Sequence, residues 1–165
     1  ENIHSDRMDI NLKPLDIRTL VEHAIQDNRA YAEQFGIDFV LAPDALSTTV
    51  SGDETRLIQV MANLLSNAAK FSPKGSEVNI TVMDEDTRVE VIVSDHGQGI
   101  PEDFRDQIFE RFTQADSSDK RQSGGTGLGV SISAAIAEAH GGRLDFNSVT
   151  GEGSSFYFNL KKIVA

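Results

Sequence analysis

Two runs of valine and isoleucine frame this chain. Val78, Ile80 and Val82 alternate with polar neighbours, Val89, Val91 and Val93 do the same, and Asp84-Glu85-Asp86 separates the two runs. Strict alternation sends successive side chains to opposite faces of a strand, so the runs predict a β-hairpin with one apolar and one polar face. A hairpin cannot bury such a face by itself; helices or further strands must cover it. Ile17, Leu20, Val21, Ala24, Ile25, Tyr31, Ala32 and Phe35 recur at helical spacing between Asp16, a candidate cap, and Gly36, a candidate stop. Leu57, Val60, Met61, Leu64, Leu65 and Ala68 form a second helical face over residues 53–71, and a third helix spans residues 128–140 up to Gly141-Gly142.

Shorter signals complete the order. A strand is predicted over 37–41, a loop over 43–48, a short helix near 102–107 and a polar, Ser-rich loop over 113–123. Leu144 and Phe146, then Phe156, Phe158 and Leu160, alternate as a closing hairpin around residues 150–153. The opening dozen residues mix charges with Ile3, Met8, Ile10 and Leu12 and form no clear element. Helices interleaved with mostly hairpin-joined strands imply a mixed sheet carrying its helices on one face. No internal repeat and no dividing linker interrupts the chain.

Composition narrows the function classes. The sequence holds 15 basic and 26 acidic residues, a formal charge of -11, which repels nucleic acid and anionic lipid. It has no cysteine, so disulfides and thiolate metal sites are excluded and any metal must sit on oxygen or imidazole. No stretch approaches the roughly eighteen apolar residues of a membrane span, and the polar start does not resemble a signal peptide. A cytoplasmic domain without direct membrane contact is the expectation.

Three constellations carry chemistry. On the second helix, Asn63, Asn67 and Lys70 share one side with Arg56 and Gln59, opposite the apolar stripe. Amide oxygens are hard neutral ligands suited to magnesium, which takes its remaining ligands from water and substrate phosphates, and a lysine alongside could touch the same phosphates. Taken alone, that face equally describes an ordinary solvated helix surface. The second constellation is Asp95-His96-Gly97-Gln98-Gly99-Ile100-Pro101, directly after the strand that ends near Val93. A carboxylate beside a glycine backbone lets a flat ligand approach closely. Adenine donates its exocyclic amine to a carboxylate, whereas guanine presents a carbonyl there and opposes acceptor with acceptor. A plain turn is the alternative, and His96 reads as a turn residue.

The third constellation is Ser123-Gly124-Gly125-Thr126-Gly127-Leu128-Gly129, opening the third helix. Four glycines within 124–129 expose backbone N–H groups at a helix N-terminus, a setting that favours phosphate. It is neither a Walker loop nor a dinucleotide fingerprint, because the required lysine and spacing are missing; a structural hinge is the other reading. Between the second and third constellations, Phe109 and Phe112 can anchor the base of a lid whose Lys120 and Arg121 reach for phosphate, or simply pack in the core.

In this order the motifs resemble the ATP-binding catalytic domain of sensor histidine kinases, members of the Bergerat-fold ATPase and kinase superfamily. Residues 63–70 match that family's asparagine box, 95–99 its first glycine box, 109–112 its phenylalanine box and 125–129 its second glycine box. His140-Gly141-Gly142 and Gly151-Glu152-Gly153-Ser154 also look like the family. His140 itself reads as structural, near a helix C-terminus where imidazolium is favoured. The resemblance implies a two-layer α/β sandwich with a mixed sheet of about five strands, three main helices and a mobile ATP lid. It implies ATP and Mg2+ as cofactors, with Asn63, Asn67 and Lys70 catalytic and Asn67 the metal ligand. Asp95 would read adenine. Gly97, Gly99, Ile100, Phe112, Lys120 and Arg121, then Gly125, Thr126, Gly127, Leu128 and Gly129, would complete the ATP site.

The resemblance also separates transfer from hydrolysis. In the related gyrase, chaperone and mismatch-repair ATPases a glutamate four residues before the magnesium asparagine activates water, and here that position is Asn63. An amide takes no proton at neutral pH, while a histidine acceptor with an ordinary pKa near 6.5 is already largely a neutral nucleophile. A protein-histidine kinase is therefore expected. His4 is followed by Ser5 and lacks the acceptor pattern, so residues 1–12 are expected to end an upstream dimerisation helix and linker, with 13–165 the catalytic domain. The implied partners are the dimerisation and phosphoacceptor domain of the same kinase and a response-regulator receiver domain. A serine kinase that doubles as a binding module of anti-sigma type, an ATP-hydrolysing relative and a non-catalytic scaffold remain as alternatives.

Overall fold

The computed structural model describes residues 9–97, 126–149 and 151–163. Their elements run β1 (Lys13–Asp16), α1 (Ile17–Gln34), β2 (Asp38–Leu41), β3 (Thr49–Gly52), α2 (Glu54–Phe71), β4 (Glu77–Glu85), β5 (Arg88–Asp95), α3 (Thr126–Ala139), β6 (Leu144–Val149) and β7 (Gly153–Lys161). The short helix near 102–107 and the loop over 113–123 lie outside the described residues.

The main sheet has five strands in the order β2-β4-β5-β7-β6. β2 joins β4 in parallel and every other pair is antiparallel, so the sheet is mixed, as the sequence implies. Val78, Ile80 and Val82 on β4 and Val89, Val91 and Val93 on β5 are all buried, and they share one core with the apolar stripes of α1, α2 and α3. The alternation that frames the sequence is thus the inner face of the sheet, and the helices form the second layer of an α/β sandwich.

The two 18-residue helices each begin on an aspartate cap, of which the sequence announces Asp16. Asp16 accepts from the Thr19 N–H at 2.9 Å to open α1, and Asp53 accepts from the Arg56 N–H at 3.3 Å to open α2. α1 stops where Gly36 adopts φ 69°, the left-handed region that glycine enters without steric cost.

One element has no counterpart in the sequence reading. β1 pairs antiparallel with β3, Lys13 opposite Gly52 and Asp16 opposite Thr49, as a separate two-stranded sheet. Pro14 and Asp16 are poor strand formers, and four residues show no periodicity, so propensity could not announce it. Contacts distant in sequence define it: Ile163 donates its N–H to the Thr49 carbonyl at 3.0 Å and Val50 bridges to Lys162.

Candidate functional site

α1 and α2 are both 18 residues long and lie side by side, yet their polar faces differ. On α1, Glu22, His23, Gln26, Asp27, Arg29, Glu33 and Gln34 are exposed. On α2, Arg56, Gln59, Asn63, Asn67 and Lys70 are all half-buried. A merely solvated face would resemble that of α1. The α2 face is instead a polar surface partly withdrawn from water, the setting in which amides and an ammonium act on a ligand with strengthened electrostatics. From Asn63 to Lys70 the stripe runs about 10 Å along the helix axis.

Asn63 is held from α3: its Nδ2 donates to the Ser133 hydroxyl at 3.1 Å. Lys70 lies with its Nζ 5.7 Å from the ring centroid of Phe71, whose side chain is 55% exposed at the end of the helix.

The β5 end meets the same end of α2. Asp95 is the last residue of β5 and faces inward, 8% exposed. Sheet register sets Ser154 of β7 directly opposite, and Ser154 donates to the Asp95 carboxylate from its hydroxyl at 2.9 Å and from its N–H at 3.3 Å. The Gly97 N–H adds a third donor at 2.9 Å. Two glycines permit this closeness. A Cβ on Gly97 would stand 2.4 Å from the Phe71 carbonyl oxygen, and one on Gly153, at φ 132°, would stand 2.2 Å from the Asp95 carbonyl oxygen. The turn after β5 is thereby drawn against the C-terminal end of α2, bringing Asp95 to the end that carries Lys70. His96 is exposed and its Nε2 lies 3.0 Å from Asn79 Oδ1 on β4, consistent with a turn residue.

Of the other candidates, Thr126, Gly127, Leu128 and Gly129 form the opening turn of α3. Gly99, Ile100, Phe109, Phe112, Lys120, Arg121 and Gly125 lie outside the described residues.

Two residues at the site escape the sequence reading in their roles. Ser154 was visible as part of Gly151-Glu152-Gly153-Ser154, but its place opposite Asp95 follows only from strand register. Ser133 has no sequence signal beyond being a hydroxyl inside an apolar helix.

His140 is structural, as expected, but by a different interaction from the one its position suggests. It is buried, its Nδ1 lies 2.8 Å from the Ile136 carbonyl oxygen, and its Nε2 accepts the Asp53 N–H at 3.0 Å. A ring that donates at Nδ1 and accepts at Nε2 is a neutral imidazole, so a backbone tether to the α2 cap, rather than imidazolium facing a helix end, explains it. Asp53 also accepts the Asn11 N–H at 2.9 Å, which draws the incoming chain into the same knot.

Known proteins share this fold. The profile of the histidine kinase-, DNA gyrase B-, and HSP90-like ATPase family matches residues 52–163, and the chain belongs to that family. Its relatives are sensor kinases. The sensor-like histidine kinase SenX3 of Mycobacterium bovis is 36% identical over 155 residues, covering 93% of this chain and 37% of SenX3. The catalytic domain of histidine kinase ThkA superposes with a TM-score of 0.79 at 30% identity, covering 93% of this chain and 97% of that domain. Full-length ShkA in complex with AMPPNP gives a TM-score of 0.79 at 31% identity over 96% of this chain and 33% of ShkA. ThkA has also been solved in complex with the response regulator protein TrrA, at 27% identity and a TM-score of 0.73 over 92% of this chain and 42% of ThkA. Within its family the chain is thus a catalytic domain of the sensor histidine kinase kind, and it spans little more than a third of SenX3. Among the described residues no helix is long and apolar enough to cross a membrane.

Proposed function

We propose that this domain binds ATP with Mg2+ and transfers the γ-phosphate to a histidine of a dimerisation domain, from which a response-regulator receiver takes it. The observation that carries this reading is the half-buried Asn63-Asn67-Lys70 stripe, brought by the Gly97–Phe71 contact to the end of the sheet where Asp95 lies. Those two features suit the two ends of one extended nucleotide. Asp95, with both carboxylate oxygens anchored by Ser154 and Gly97, accepts the exocyclic amine of adenine, and guanine is rejected because it offers no donor there. Lys70 contacts the polyphosphate. The reading assigns Gly97, Gly99, Ile100 and Phe112 to the base, and Lys120, Arg121, Gly125, Thr126, Gly127, Leu128 and Gly129 to the phosphates.

The donor set fits magnesium arriving with the nucleotide. Among the described residues no group of three or more His, Asp or Glu side chains could cage a metal, whereas the Asn67 and Asn63 amides supply neutral oxygens that leave most positions to phosphate and water. Asn67 would be the direct ligand and Asn63 its support. When bound, the ion neutralises charge on the phosphates. The acceptor imidazole nitrogen attacks the γ-phosphorus, the bond to the β,γ-bridging oxygen breaks, and ADP leaves with that electron pair. Asn63 cannot abstract a proton from water, which favours transfer over hydrolysis and leaves the chain's residues to position and orient. AMPPNP in ShkA and the response regulator on ThkA support the nucleotide and partner classes. The reading puts the site on the cytoplasmic side, where ATP is available.

The test is to mix the domain with γ-labelled ATP and a separately prepared acceptor-helix domain. Acid-labile label on the acceptor histidine is expected. Acid-stable label would indicate a serine kinase, and release of inorganic phosphate alone an ATPase.

A further inference from the structure

α3 contributes Val130, Ile136 and Ala137 to the core, and within that apolar setting Ser133 is 0% exposed. A hydroxyl in such a place is unfavourable unless it is paired, and alanine would satisfy both the packing and the helix. Its partner comes from 70 positions away: the Asn63 side-chain amide, donating from Nδ2 at 3.1 Å. The terminal torsion of asparagine is broad, so the amide takes its orientation from the groups it bonds. Ser133 is such a group. With the nitrogen engaged, the carbonyl oxygen of Asn63 is the end not bonded to the Ser133 hydroxyl. The orientation matters because the two ends of the amide are chemical opposites: the oxygen supports a cation and its waters, whereas the NH2 group repels one.

We propose that Ser133 is a positioning residue that locks the Asn63 amide in the orientation that supports the metal–phosphate end of the site. The assignment rests on the functional reading above and deepens it. Ser133 touches no ligand; it acts through Asn63, and it links the helix opened by the glycine-rich stretch to the helix bearing the polar stripe.

The experiment has two arms on the whole chain. Titration of AMPPNP with Mg2+ and with EDTA gives the metal-dependent gain in affinity. Ser133→Ala is expected to lose about three- to tenfold of that gain, the scale of one hydrogen bond, while the affinity in EDTA stays within about twofold. Ser133→Cys, nearly the same size but a weak hydrogen-bond former, is expected to behave like Ser133→Ala and serves if the alanine variant fails to fold. In an Asn63→Ala background, Ser133→Ala is expected to change nothing further. The second arm needs no ligand: a urea-denaturation cycle of Asn63→Ala, Ser133→Ala and the double variant should show that the two substitutions are coupled. The assignment is overturned if the affinity in EDTA falls equally, if the loss persists without Asn63, if the cycle is additive, or if Ser133→Ala binds as the wild type does. Wild-type protein that binds no AMPPNP under either condition overturns the functional reading itself.

Discussion

His140 and Asp95 are both buried polar residues beside glycines, and both belong to stretches that resemble the same family, yet their hydrogen-bonding capacity is used differently. His140 has both ring nitrogens within hydrogen-bonding distance of the backbone, Nδ1 of Ile136 and Nε2 of Asp53, and an imidazole has only those two positions. Asp95 receives three donors from Ser154 and Gly97, but a carboxylate offers about four acceptor sites. Among the described donors, then, the histidine is saturated and the aspartate is held rigid with capacity left over. Burial alone does not mark a recognition residue; a polar group whose protein partners fix it without exhausting it does.

The largest effect that could break this contrast is at Asp95. Asp95→Asn preserves shape but replaces one carboxylate acceptor by an NH2 donor, which the proposed adenine contact does not tolerate. Its affinity for AMPPNP, measured by calorimetry, is expected to fall by about two orders of magnitude or more while the domain stays folded. Unchanged affinity would show that the spare capacity is not used for adenine. His140→Ala should do the reverse. It removes a buried ring and leaves the Asp53 N–H without its acceptor, so stability in urea is expected to drop by about 2–3 kcal/mol, with nucleotide affinity of the folded fraction nearly unchanged. A large loss of affinity at preserved stability would move His140 into the site.

The smallest effect is the acid limb of the stability curve, which sharpens the structural side of the contrast. Hydrogen bonds from the Asn11 and Arg56 N–H groups hold Asp53 below its ordinary 3.8. At Asp16 burial pushes upward, but hydrogen bonds from Ser47 and Thr19 outweigh it, again leaving the carboxyl below 3.8. A carboxylate depressed in the folded state contributes stability that is complete above the unfolded value and is lost as pH falls through the lower folded value. Urea midpoints should therefore be level above about pH 5 and decline below about pH 4, by well under about 1 kcal/mol for each of these solvent-near groups. Asparagine at both positions should flatten that decline.

How much was legible depended on whether a residue's role is local. The cap at Asp16, the stop at Gly36, the β4–β5 hairpin and the two long helices are local or periodic, and each is found where the sequence puts it. The β1–β3 pair was invisible because four-residue strands are too short to show a pattern, Pro14 and Asp16 are poor strand formers, and the pair is tied to the far end of the chain. The α2 polar face was legible as a face, but not as half-buried, since withdrawal from water is conferred by what packs around it. The interaction that holds His140 was missed for the same reason: a neighbour 87 positions away supplies it.

By itself the sequence determined the periodicities, the caps and the ordered polar and glycine motifs, because these depend on side-chain spacing of a few residues and on backbone freedom at single positions. Only the tertiary structure decided which of those groups remain available to a ligand. That Ser154 meets Asp95 through strand register, that Ser133 meets the Asn63 amide, and that Gly97 allows the β5 end to reach α2 are all pairings across large sequence separation. Such pairings exist only once the core has closed and placed the elements against one another, since hydrogen-bond capacity is allotted by proximity in space.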